Sequence, residues 1–392
     1  MRCVLLVINN VKIFTMKNKI IENGFIKIQD SKISEIGEGK LYNNSDEEII
    51  NGGGAWVFPG FIDSHSHIGM WDDSLGFEGD DGNEDTDPCT PHLRGIDAVN
   101  SFDRCFDEAL KAGITTVVTG PGSSNVIGGQ LLAMKTYGNR IENMLLKAPL
   151  AMKAALGENP KITYHTKNQS PVTRMASAAI LREQLRKAAR YLEDCETAKE
   201  DEELTSPEFD AKCEALIPLL KKEIPMHIHA HRRDDIFTAI RIAKEFNLEY
   251  KLVHATSGYL IAEELQKEKA EILLGPLLCD RSKPELTDLD PVSASVLHKN
   301  NVKFSIVTDH PVIPMQYLTI CAALAVKEGL SWIEAIKAIT INPAEICGID
   351  NLVGSIEINK HADLVLFKTD PLEITSKPVM VIINGNIVVN KL

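Results

Sequence analysis

The chain opens on short runs in which apolar and polar residues alternate, such as Val11-Lys12-Ile13-Phe14 and Gly24-Phe25-Ile26-Lys27-Ile28, broken by Asn, Asp and Gly. A period of two marks strands with one buried face. The last forty residues repeat the rhythm, with Asp363-Leu364-Val365-Leu366-Phe367 and the stretch 379–389, where Asn384-Gly385 reads as a two-residue hairpin turn. Residues 1–55 and 350–392 are therefore expected to form one small discontinuous β-domain, a β-sandwich. Across residues 56–349 the pattern changes: apolar strand-like runs alternate with amphipathic helical stretches, as in an α/β fold. The candidate strands are 56–63, 114–119, 129–136, 145–154, 225–231, 250–254, 270–276 and 302–309. That number suits a (β/α)8 TIM barrel, typically about 250 residues long. The charge-rich stretch 183–223 reads as a helical insertion on the surface.

Composition narrows the function classes. The chain has 42 Lys+Arg against 55 Asp+Glu, a formal charge of −13, which argues against a partner bound through a phosphate backbone. A small-molecule substrate is expected, with no nucleic acid, no membrane, and a homo-oligomer as the assembled form. Eight cysteines without a CxxC pair suggest neither a disulfide framework nor a thiolate zinc site. The apolar run in residues 1–10 is short, lacks a small-residue cleavage site and reads as a first strand, not a leader. With no stretch near the ~20 apolar residues of a membrane span, a cytoplasmic location is expected.

The candidate chemistry sits at the carboxyl ends of the candidate strands, where a barrel carries its active site. After 56–63 come His65 and His67, two positions apart and so on one side of an extended chain, about 7 Å from each other. Imidazole suits zinc and its neighbours. The next cluster is His227-Ile228-His229-Ala230-His231. His229 is the candidate ligand, His231 a candidate for substrate contact, and His227 a hydrogen-bonded core residue below them. His254 closes 250–254, and Asp309 ends an otherwise apolar strand. Three loops would line the mouth. Residues 71–91 carry Asp72, Asp73, Glu78, Asp80, Asp81, Glu84, Asp85 and Asp87 with no Lys or Arg, and could attract a cationic group. Residues 120–129 are glycine-rich, with Gly128 a candidate wall of the pocket. Arg232, Arg233, Arg281 and Lys283 are candidates to grip a substrate carboxylate, and Tyr164 and His165 are further outliers.

Together these features resemble the metal-dependent amidohydrolase superfamily, in the group with imidazolonepropionase-like and prolidase-like enzymes. The resemblance rests on PGFIDSHSHIG at 59–69, the histidines ending strands five and six, the aspartate ending strand eight, Ala338-Ile339-Thr340-Ile341-Asn342-Pro343-Ala344, and Ala362-Asp363-Leu364-Val365. Asn359 stands where the family's tail usually has Gly. The resemblance implies metal ligands at His65, His67, His229, His254 and Asp309, with Asp309 also moving a proton. It implies a divalent metal, zinc foremost, as one ion or two. In two-ion members a group on strand four bridges them; Lys153, carboxylated, and Glu158 are the rivals here. A bare ammonium inside an apolar strand is costly unless paired or modified, which favours Lys153. The implied reaction is hydrolysis of an amide, cyclic amide or dipeptide-like C–N bond by a metal-activated water. Deamination of a heterocycle and a non-catalytic scaffold on the same fold are the alternatives.

Overall fold

The computed structural model describes residues 5–17, 19–39, 41, 47–72, 76–201 and 203–392. Cys3, Asp73 and the start of the expected opening strand lie outside the described residues. Strands β1 (Leu5–Phe14), β2 (Ile20–Gln29), β3 (Lys32–Glu38), β4 (Glu47–Asn51) and β5 (Trp56–Pro59) join β14 (Leu364–Phe367), β15 (Met380–Ile383) and β16 (Asn386–Asn390) from the other end of the chain. By hydrogen bonding they make one continuous eight-stranded sheet in the order β16-β15-β14-β5-β1-β2-β3, with β4 parallel to β1. The expected pair of sheets is thus a single hydrogen-bonded sheet. The hairpin at Asn384-Gly385 has positive φ at both residues, as its turn requires.

The period of two divides this sheet between two cores. Leu364, Leu366, Ile13 and Val57 pack into the sheet's own cluster, while Val365, Phe367, Phe14 and Phe58 join the core shared with the barrel. Phe14 and Phe58 stack at 4.6 Å, and Phe61 meets Phe367 at 5.8 Å. The stretch 56–63, read as one barrel strand, is two. Pro59-Gly60 separates β5, in the terminal sheet, from β6 (Phe61–Asp63), in the barrel. Gly60 is needed where the chain changes sheets, because a Cβ there would fall 2.0 Å from Thr115 Oγ1.

The second sheet is the barrel wall: β6, β7 (Ile114–Thr119), β8 (Ile127–Lys135), β9 (Leu145–Ala155), β10 (Met226–Ala230), β11 (Tyr250–His254), β12 (Glu271–Leu274) and β13 (Lys303–Ile306), in sequence order. All eight expected strands are present, but their directions differ from a regular (β/α)8 repeat. β8 runs antiparallel to both β7 and β9. The physical reason is length, since only residues 120–126 join β7 to β8, whereas a parallel crossover takes a dozen residues or more. The seam beyond β13 and β6 is bridged by Asp309 N–H donating to His65 O at 3.2 Å and His67 N–H to His310 O at 2.8 Å.

Helices cover the outside. The longest, Arg174–Glu200, is capped by Thr173 and pairs with Ala211–Leu220 in the β9–β10 connection, where a helical insertion was expected. No described helix is long and apolar enough to cross a membrane. Along β10, Met226, Ile228 and Ala230 belong to the large hydrophobic cluster that also takes in the inner faces of the covering helices. The alternate residues, His227 and His229, therefore face the barrel interior.

Candidate active site

Strand ends bring the chemistry together. His65 Nε2 lies 3.4 Å and His67 Nε2 3.3 Å from Asp309 Oδ1, and His254 Nε2 is 4.0 Å from Asp309 Oδ2. Lys153, on β9, places Nζ 3.1 Å from His65 Nε2. His229 and His231 follow on the other side of His254, with ring centroids 4.5 Å from it. Apart from Asp309, whose side chain is 15% exposed, all these residues are buried. His254 and Asp309 have φ of +71° and +55°, conformations uncommon for residues other than glycine and typical of strained functional positions.

Backbone carbonyls orient two of the imidazoles. His67 Nδ1 is 2.8 Å from Gly120 O, and His254 Nδ1 2.6 Å from Gly275 O. An N–H donated to a carbonyl fixes the tautomer and leaves Nε2 with a free lone pair. Burial, assisted by Lys153, pushes His65 down to about 3, and burial holds His229 and His254 well below the ordinary histidine range. Burial also lowers Lys153 to about 8, against the opposing pull of Asp309. Two sets of donor atoms, His65/His254/Asp309 and His229/His231/His254, are each compact enough to surround one ion. The fit to a cation is also chemical. Nδ1 of His65 and of His229 and Oε1 of Glu285 are buried without a hydrogen-bond partner among the described residues, and imidazole nitrogen with carboxylate oxygen is a divalent-metal donor set.

The site opens into a cavity of about 710 Å³. His67, His229, His231 and Asp309 line it, with Trp71, Ile162 and Val312 as apolar wall and Asn159, Ser123 and Lys283 as polar wall. Lys283 donates to Asn159 Oδ1 at 2.8 Å, and Asn159 Nδ2 donates to Ser123 Oγ at 2.8 Å.

Several expected positions lie elsewhere. Arg232 is paired with Asp234, Arg281 donates to the Leu289 carbonyl, and neither lines the cavity. Of the four candidate cations Lys283 does. Gly128 is buried behind the cavity, its carbonyl accepting from Thr90 Oγ1. Glu158 is tied into a reciprocal pair with Glu285, its N–H donating to Glu285 Oε2 at 3.0 Å. Tyr164 is buried and donates to Asn125, while His165 is exposed. His227 is a core residue as expected, but not a hydrogen-bonded one, since neither ring nitrogen has a partner among the described residues. In the acidic loop, Asp85 and Asp87 pair with Lys167 and Lys212, and the described carboxylates do not line the cavity. Glu285 is the residue the sequence reading missed; it lies on a loop of mixed charge with no periodicity to single it out.

Comparison with known proteins identifies the family. The model of the Amidohydrolase family matches residues 56–388, and the chain belongs to that family, whose enzymes hydrolyse C–N bonds. It is similar to an amidohydrolase from Thermotoga maritima MSB8 of known structure, with 37% identity, a TM-score of 0.94, and coverage of 98% of this chain and 100% of that one. It is 28% identical to amidohydrolase tasK of Hapsidospora irregularis over 93% of this chain, and spans 39% of that protein's length. A Xaa-Pro dipeptidase structure with bound methionine shares the fold, with a TM-score of 0.59, 16% identity, and coverage of 98% and 100%.

Proposed function

We propose that the chain is a metal-dependent hydrolase that cleaves an amide, cyclic amide or dipeptide-like C–N bond in a small molecule. The observation that carries this reading is the convergence of His65, His67, His254, Lys153 and Asp309 on one buried point at the barrel mouth. Those residues, with His229, would hold one or two divalent ions, zinc foremost. A bound ion there supplies Lewis acidity toward the scissile carbonyl and acidifies the attacking water.

The chain's own groups do the rest. Asp309 reaches the cavity and accepts the proton that water loses as its oxygen bonds to the carbonyl carbon. It then returns that proton to the nitrogen as the C–N bond breaks, so the products are a carboxylic acid and an amine. Lys153 has no carboxylate within 4.0 Å among the described residues. Burial lowers its pKa to about 8, and its uncharged form would add carbon dioxide, with loss of one proton to solvent, to give a carbamate that would offer oxygen donors to a bound ion. Trp71, Ile162 and Val312 shield the bond from bulk water, while Lys283, Asn159 and Ser123 offer polar contacts to the substrate.

A panel of N-acyl amino acids, dipeptides, hydantoin-like rings and aminoheterocycles, incubated with protein purified without chelators, tests the reading. A new carboxylate together with a new amine is expected. Ammonia release without a new carboxylate would replace it by the deaminase reading, whose support is a 64-residue similarity, at 38% identity and covering 16% of this chain and 15% of that one, to a 5-methylthioadenosine/S-adenosylhomocysteine deaminase of Bacillus cereus (strain B4264).

A further inference from the structure

The polar wall of the cavity is a short hydrogen-bonded chain drawn from three separate connections. Lys283, after β12, donates from Nζ to Asn159 Oδ1 at 2.8 Å. Asn159, just past β9, donates from Nδ2 to Ser123 Oγ at 2.8 Å and lies 3.4 Å from His229 Nε2. Ser123 comes from the connection between β7 and β8. Lysine can only donate, so it fixes which end of the amide is the oxygen. That oxygen is thereby engaged, and Ser123 Oγ has accepted its hydrogen bond. No acceptor takes the Ser123 proton, and no second acceptor meets Lys283 Nζ, among the described residues. What the chain has left to give the cavity is therefore two N–H groups of Lys283 and the O–H of Ser123, donors in both cases.

Charge points the same way. Lys283 is exposed and has no carboxylate within 4.0 Å among the described residues. Asp280 lines the same cavity, but its Oδ1 accepts from the Arg281 N–H at 2.8 Å. The Lys283 ammonium acts electrostatically on His229, His231 and Cys279, all of them in the cavity wall. One positive charge beside one hydroxyl suits a group with one negative charge and two acceptor oxygens, a carboxylate; a phosphate dianion would be left half neutralised. Beside this wall, Ile162 and Val312 are 49% and 55% exposed, apolar surface that an apolar group of a ligand would cover.

We infer that Lys283 and Ser123, spaced by Asn159, hold a carboxylate of the substrate, and that the bond cleaved belongs to an N-acyl amino acid or dipeptide with an apolar side chain. That the anion is part of the substrate rests on the hydrolase reading, which it narrows: a cyclic amide without a carboxylate would leave Lys283 without a counter-charge. Lys283 is thus a specificity-determining residue, remote from the proton transfer at Asp309.

The test is calorimetric titration of the full chain, purified without chelators, with 4-phenylbutanoate and with 4-phenylbutan-1-ol. The two probes are alike in shape, differ in charge and have no C–N bond to cleave. The carboxylate should bind roughly 10–100-fold more tightly, the range for a hydrogen bond to a charged group. Lys283→Met should erase that preference, and Lys283→Arg should keep most of it. In turnover, N-acyl amino acids should be preferred to their carboxamide counterparts, with the Lys283→Met loss falling on KM rather than kcat. Equal binding of the two probes by wild type would overturn the inference. So would a preference that survives in Lys283→Met, because the anion would then be held elsewhere. Hydrolysis of panel members without a Lys283-dependent preference leaves the hydrolase reading intact and removes the subsite. A Lys283-dependent preference without hydrolysis of any panel member does the reverse.

Discussion

Two lysines on neighbouring strands, Lys135 of β8 and Lys153 of β9, are each 1% exposed, yet the two ends of the barrel treat them differently. At the closed end Lys135 donates to Asp363 Oδ2, and Asp363 Oδ1 in turn accepts from the Asn384 N–H, so the pair ties the barrel to the terminal sheet. At the open end Lys153 meets His65 Nε2 and no carboxylate within 4.0 Å among the described residues. Burial lowers both lysines; Asp363, which is hydrogen-bonded, opposes the shift at Lys135, and Asp309 opposes it at Lys153 without a hydrogen bond. Equal burial with unequal pairing separates a lysine tied into an ion pair from the lysine that the proposed function uses. A buried ion pair holds the fold in place, while a lone buried amine among neutral imidazoles is available for chemistry.

The sharpest break between the two ends should come from Asp309→Asn. It should lower turnover of a substrate found by the panel by about 10²–10⁴-fold, the range for losing a positioned proton acceptor, with little change in the thermal midpoint. Next is Lys135→Met, which strands Asp363 as an uncompensated buried charge and should cost about 3–5 kcal/mol in denaturant unfolding. Lys153→Met is its counterpart. Stability should hold or rise, because no buried partner is abandoned, while metal affinity or activity falls by roughly 10–100-fold or more. Equal destabilisation by the two methionine variants would erase the distinction.

The smallest effect belongs to a charge paired at the surface. Asp210 caps the helix Ala211–Leu220 through the N–H groups of Lys212 and Cys213 and accepts from Lys187 Nζ. The Lys187 hydrogen bond and these N–H groups lower its carboxyl to about 2. A folded-state value below the unfolded one means that the stabilisation is complete above about pH 4 and is lost as pH falls toward 2. Asp210→Ala should therefore cost about 1 kcal/mol at neutral pH and almost nothing at pH 2, as read from unfolding midpoints.

The residues at the open end were largely legible from the chain. His65, His67, His229, His254 and Asp309 are polar groups at the ends of apolar runs, and the barrel geometry collects such ends on one face. Strand direction was not legible from the count of eight, although the short 120–126 connection carried it. The break at Pro59-Gly60 was hidden because β5 and β6 read as one apolar run. Side-chain partners were the least visible. Arg232 follows His231 in sequence, but Asp234, two residues on, claims it, and Asp85 and Asp87 spend their charge on Lys167 and Lys212. Glu285 could not be found from spacing because its neighbours, His229, His231 and Gly157, come from other strands and loops.

The central claim is that the open end of the barrel is built to hold metal. Elemental analysis of the full chain purified without chelators, with circular dichroism to establish that it is folded, tests it most directly. At least one equivalent of a divalent transition metal per chain is the predicted result; a folded chain with no stoichiometric metal, and none taken up on addition of zinc, would contradict it.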